Sequence, residues 1–161
     1  MAGTDLYRLA GIKDKTEAGL EKNQQRYKNL LEYIKNCKNI NMIFDRTFFS
    51  EEIYSRLGYK PYSFSNTYKK LLEELDNLDY DIYLVILYLE NTNEYERRIE
   101  RDKHQYQKFD VESSINQQKA YLELADEVKE NTRNIKVIKF NNNTNLNFDE
   151  RMKKEFGELF K

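Results

Sequence analysis

The chain has 161 residues, 27 basic and 28 acidic, giving a net charge of −1. That balance lacks the cationic surplus that draws nucleic acid or an anionic membrane surface, so neither is expected as a partner. Charged residues form 34% of the chain, and its apolar runs are too short to cross a bilayer.

One domain over residues 1–161 is expected, burying roughly 70% of its unfolded surface. Met1-Ala2-Gly3-Thr4-Asp5 places an acid where a secretory signal needs a base. Cys37 is the only cysteine, so an intrachain disulfide or cysteine metal cluster is ruled out, and a reducing cytosol is the expected compartment.

In chain order, Leu20, Tyr27, Leu31 and Ile34 recur at helical spacing and predict a helix from about Thr16 to Asn36, with Asp14 and Glu17 as a capping-box start. The run Ile40-Asn41-Met42-Ile43-Phe44 reads as a short strand. Ser50 as N-cap and Glu51 and Glu52 in the first turn predict a brief helix from Glu51 to Leu57, stopped by Gly58. A turn at Gly58–Pro61 precedes a helix over about Asn66–Asn77, whose inner stripe is Tyr68, Leu71, Leu72 and Leu75.

Ile82 to Leu89 is apolar at every position, which suits a strand covered on both faces, as in parallel sheets. Asn93 with Glu96 opens a helix to about Arg101, and a charged, aromatic segment follows to Asp110. A long helix over about Val111–Asn131 carries Ile115, Leu122, Ala125 and Val128 inward. Ile135–Phe140 is a third strand. The Asn-rich stretch Asn141–Asn147 then leads to a last helix, capped by Asn147 with Glu150 and docked through Phe148, Met152, Phe156 and Leu159. Helices separate each pair of strands, so a parallel sheet with right-handed crossovers is expected.

Two clusters carry chemistry. Asp45 and Arg46 follow the first expected strand, where open α/β sheets bind ligands. An acid there can orient an acceptor hydroxyl or hold Mg²⁺, and an adjacent guanidinium grips phosphate with a planar pair of donors. A structural ion pair is the competing reading. Arg98 and Arg101, three apart on one helical face, suit stabilisation of charge on a transferring phosphoryl group. The competing reading is a solvated face laced with Glu–Arg pairs worth about 0.3–0.5 kcal/mol each. His104 is the only histidine, so no multi-histidine metal site is expected.

The stretch Asp45-Arg46-Thr47-x-x-Ser50-Glu51-x-x-Tyr54 resembles the Asp/Glu-Arg-Ser/Tyr motif of deoxynucleoside kinases and thymidylate kinases. Arg98-Ile99-Glu100-Arg101 is similar to their Arg-x-x-Arg lid, and the order of elements from about Asn29 onward matches theirs. The resemblance implies an α/β fold of the P-loop kinase type, a three-layer parallel sheet flanked by helices. It also implies transfer of the ATP γ-phosphate to a deoxynucleoside or thymidylate-like monophosphate, with Mg²⁺ and ATP as cofactors. In that scheme Asp45 positions the acceptor or Mg²⁺ and Arg46 holds the acceptor's reacting end. Arg98 and Arg101 reach the ATP phosphates from a lid at about 97–110. Ser50 and Tyr54 belong to the substrate site, Tyr54 by stacking on a base as Tyr62 and Phe64 would, and Glu112 meets a sugar hydroxyl. Thr47 stands where Ser, Tyr or His is usual, and Glu52 and Ile53 depart from the thymidylate kinase pattern. The acceptor therefore stays open, as does a homodimer.

A phosphate-binding loop needs Gly-x-x-x-x-Gly-Lys-Ser/Thr, so that backbone N–H groups wrap the phosphates. None of Gly3, Gly11, Gly19, Gly58 or Gly157 precedes Lys-Ser or Lys-Thr at that spacing. The expected fold is thus N-terminally incomplete. A fragment of a longer enzyme is favoured over a short remnant whose two strands pair directly, and over a second chain that supplies the loop. Slow or absent phosphate transfer by this chain alone is expected, because positioning accounts for roughly 7–11 kcal/mol of a barrier. The alternative is a non-catalytic nucleotide-binding or regulatory kinase remnant. A third reading is a helical protein with accidental motif matches, in which Ile82–Leu89 would be helical.

Overall fold

The computed structural model describes residues 17–38, 40–101, 110–143 and 147–157. Among them are six helices and a two-stranded parallel sheet, a mixed α/β architecture. Contacts divide the chain into two compact units, one ending at Asp79 and the other starting at Tyr80. None of the described helices is long and apolar enough to cross a membrane. Asp14, His104 and most of the expected lid lie outside the described residues.

The first unit holds α1 (Glu17–Asn36), α2 (Phe48–Arg56) and α3 (Ser65–Asp76). Its core is aromatic. Phe48 stacks on Phe49 with ring centres 4.5 Å apart, and Tyr27, Phe64 and Tyr68 close around them at about 6 Å. Edge-to-face rings at such distances add stabilisation beyond the area they bury. Leu31, Ile53, Leu71 and Leu75 complete the buried set.

Two expectations fail here. Ile40–Phe44 is irregular rather than a strand, and Ile43 is 91% exposed. A strand needs a partner for its backbone groups, and among the described residues this segment has no ladder. Ser50 is not the N-cap. The helix starts earlier, with Thr47 as cap, because Phe48 and Phe49 are drawn into the core; Ser50 is buried inside the first turn. Gly58 does end α2 as expected, at φ 72°. The Gly58 N–H donates to Ser55 O (3.1 Å) and the Tyr59 N–H to Tyr54 O (2.9 Å), with the Tyr54 and Tyr59 rings in contact. This is a Schellman stop with its hydrophobic seal.

In the second unit, β1 (Ile82–Tyr88) pairs in parallel with β2 (Ile135–Asn141), from Ile82 opposite Ile135 to Tyr88 opposite Asn141. That strand pairing removes the purely helical reading. The sheet has two strands among the described residues, not the three expected. Between the strands run α4 (Glu94–Arg101) and α5 (Val111–Asn131), and α6 (Phe148–Phe156) follows β2. Leu124, Ala125 and Val128 of α5 are fully buried, and Lys139 of β2 reaches Asp126 at 2.6 Å. Phe140 meets Phe156 of α6, with Arg151 stacked over its ring.

Both-sided burial of β1 does not hold. Val85 and Leu87, 38% and 60% exposed, share the pleat face of Phe140, where α6 docks over β2. The Asn147–Glu150 capping box is also absent in its expected form. The two side chains bond each other at 2.9 Å, and Asn147 makes no side-chain bond to the helix backbone.

Candidate functional site

A cleft of about 360 Å³ opens in the second unit, lined by Leu87, Tyr88 and Leu89, by Tyr95, Arg98 and Ile99 of α4, by Ser114 of α5, and by Asn142. Its position follows from the topology. Parallel strands end on the same side, and the chain must leave that edge for each crossover helix, so the strand ends frame a crevice between connections. Here the crevice lies beyond Tyr88 and Asn141.

The strand ends are held by amide side chains. The Asn142 N–H donates to Tyr88 O (2.7 Å), lengthening the ladder by one bond. Asn143 Oδ1 accepts from the Glu90 N–H (2.9 Å), and Asn141 Nδ2 donates to Glu90 (2.8 Å). From α5, Gln118 clamps the peptide groups of Leu89. Its Oε1 accepts from the Leu89 N–H (2.6 Å) while its Nε2 donates to Leu89 O (3.0 Å). The same Oε1 accepts from the Tyr95 hydroxyl at 2.7 Å. Burial raises the Tyr95 pKa, with Arg98 acting weakly the other way, so the hydroxyl stays a donor.

Arg98 is the cation of the cleft. It donates to Asn142 O through Nη2, and its Nε lies 3.5 Å from Glu94 Oε2. Glu94 is buried and also takes Arg97 at 3.0 Å. Two guanidiniums thus share the Glu94 carboxylate, while Glu96 and Glu100 bring the helix as a whole to charge balance. A guanidinium carries five N–H groups, so the bond to Asn142 does not exhaust its capacity for an anion.

The remaining candidates fall as follows. Asp45 and Arg46 follow the irregular segment rather than a strand end, and both are exposed. Arg46 sits at φ 61°, the single non-glycine residue with positive φ among those described, and donates to the Tyr54 hydroxyl at 3.2 Å. Such a conformation costs roughly 1–2 kcal/mol, and a residue held in it merits attention as a site. The structure thus brings Arg46 and Tyr54 together. Ser50 is buried in α2, and Phe64 is wholly buried in the core. Tyr62 gives its hydroxyl to Glu51 at 2.6 Å. Arg98 and Arg101 share α4, where the side chain of Arg101 lies outside what is described, and Glu112 is exposed on the first turn of α5. Arg46 belongs to the first unit and Arg98 to the second.

Gln118 escaped the sequence reading, although a signal was present. Ile115, Gln118, Leu122 and Ala125 fall at spacings of three and four, so Gln118 occupies a place in the apolar stripe. A polar residue there implies a buried partner. Asn142 was read only as part of a loop. As a test of the implied cofactors, no group of three or more potential metal ligands gathers among the described residues. Mg²⁺ carried by a nucleotide needs only one or two carboxylates, and Asp45, exposed in the first unit, is not among the residues that line the cleft. No protein-family model, curated protein or solved structure matches the chain.

Proposed function

We propose that the chain is a nucleotide-binding protein of the deoxynucleoside and thymidylate kinase type, built on the three-layer P-loop kinase plan. The cleft at the strand ends receives the phosphates of ATP. One observation carries this reading: Arg98, a lid candidate from its sequence context, lines the cleft beyond the carboxyl ends of two parallel strands. The Leu87, Leu89 and Ile99 side chains and the Tyr95 ring offer an apolar wall, and Arg98 supplies the charge. Bound ATP would supply the transferable phosphoryl group, with Mg²⁺ neutralising part of its charge. Arg98 holds the phosphate oxygens.

The chain lacks the glycine-rich cradle, so binding is the property to test first. Calorimetry of ATP into the wild-type chain and Arg98→Ala should show affinity falling by about 10- to 100-fold, the effect of losing a charge-assisted hydrogen bond. Equal affinities would overturn the reading. A coupled ATP assay with thymidine, deoxycytidine and their monophosphates then separates enzyme from remnant. Turnover near about 1–100 s⁻¹ marks a working kinase, and binding without turnover marks the non-catalytic alternative.

A further inference from the structure

We propose that Gln118 is the positioning residue of this cleft, a role that rests on the reading of the cleft as a nucleotide site. Its amide joins three elements at the site. It anchors on α5, holds the peptide groups of Leu89 just past β1, and receives the Tyr95 hydroxyl from α4. Leu89 and Tyr95 are both walls of the cleft. Arg98 lies three residues beyond Tyr95, on the same face of α4.

Two side-chain bonds pin helix α4 over the strand ends, the first from Tyr95 to Gln118 and the second from Arg98 to Asn142 O. The second pin is the one an anionic ligand competes for, since it uses the guanidinium itself. The first must hold while Arg98 changes partner, and that is the task assigned to Gln118. Its chemistry is specific to an amide. Leu89 presents one donor and one acceptor, so the clamp needs an acceptor and a donor in one planar group. A carboxylate can accept from the Leu89 N–H and from Tyr95 but cannot donate to Leu89 O. A protonated carboxyl can do both.

Gln118→Ala and the near-isosteric Gln118→Glu test this. The ionisable groups to be weighed in the pH series are the Tyr95 hydroxyl bonded to Gln118, Arg98 which acts on Tyr95, Glu90 next to Leu89 in sequence, and Lys119 and Tyr121 on α5. Amide hydrogen exchange at Leu89, measured without ligand, reads the clamp, and calorimetric titration with ATP reads the cleft. The expected results are faster Leu89 exchange and about tenfold weaker ATP binding in Gln118→Ala. Gln118→Glu keeps an acceptor for the Leu89 N–H, so its Leu89 exchange should stay near wild type at neutral pH, while loss of the bond to Leu89 O should weaken ATP binding. As pH falls through the new carboxyl's titration, that variant should regain affinity relative to wild type at the same pH. Circular dichroism confirms that each variant folds, and Gln118→Glu keeps the test open where the alanine variant does not fold.

Unchanged Leu89 exchange in Gln118→Ala, or wild-type ATP affinity of Gln118→Glu at neutral pH, overturns the clamp. Changed exchange with wild-type affinity overturns the positioning role while Arg98 keeps its own. ATP binding absent from the wild-type chain removes the nucleotide reading, and the role of Gln118 falls with it.

Discussion

The two units treat charged side chains in opposite ways. In the first, Glu51 and Glu52 are buried on α2 and answered from within. Glu51 takes Tyr62 (2.6 Å), Asn23 (3.1 Å) and Lys60 (2.9 Å), and Glu52 takes Arg56 and Ser65, both at 2.8 Å. In the second, buried Glu94 is answered by two arginines, and one of them lines an open cleft. A carboxylate closed inside a set of local donors specifies how helices dock. A guanidinium that shares its carboxylate with a second arginine beside an open cleft keeps N–H groups for a ligand. The first arrangement concerns stability and the second concerns binding, although the sequence shows the same residue types in both.

Four substitutions sharpen the contrast. Phe48→Ala should have the largest effect, because the ring is buried at the centre of the aromatic cluster. A loss of about 3–5 kcal/mol in urea unfolding is expected. Tyr62→Phe comes next. It removes the bond given to Glu51 and the one accepted from Asn23 (2.7 Å), for about 1–2 kcal/mol.

The Tyr62 hydroxyl is also pushed well up from its ordinary range, by burial first and by the Glu51 carboxylate next. The folded state holds that proton more tightly than the unfolded one. Stability from it is intact below about pH 10 and declines as pH rises beyond. Unfolding followed from pH 8 to 11 should show that decline in the wild type and a shallower one in Tyr62→Phe.

Gly58→Ala is a smaller change, about 1 kcal/mol. No atom crowds the added methyl, so the cost comes from the positive φ alone, and a thermal melt should register it. Asp110→Ala acts on the second unit. Asp110 Oδ1 accepts from the Ser113 N–H at 2.7 Å, and that bond lowers the carboxyl pKa. A depressed folded pKa gives stability that is present above the unfolded value, about pH 4, and is lost as pH falls through the folded one. The acid limb of the wild-type stability curve should therefore be steeper than that of Asp110→Ala.

Long periodic segments were the legible part of the fold. The helix over Val111–Asn131 and the first helix to Asn36 stand where the apolar spacing put them, since twenty residues of one period leave little room for another structure. The continuous apolar run at Ile82 and the apolar-rich stretch at Ile135 both became parallel strands. The five-residue run at Ile40 did not, because short apolar stretches carry no period and a strand depends on a neighbour the local sequence does not name. Ser50 was misplaced for a related reason: buried rings at Phe48 and Phe49 outweighed a local capping preference.

At the site, Arg98 was readable from charge spacing, and its neighbours were not. Gln118 acts through a backbone 29 residues away, and Asn142 through a carbonyl that faces Arg98 44 residues earlier. Sequence shows the side chain but not the peptide group it will meet.

The most direct test is a titration of the isotopically labelled chain with ATP, followed by amide chemical shifts. The proposal that the strand-end cleft holds nucleotide phosphates predicts the largest saturable shifts at Leu89, Arg98, Ser114 and Asn142. Those four amides unmoved at saturating ATP would contradict it.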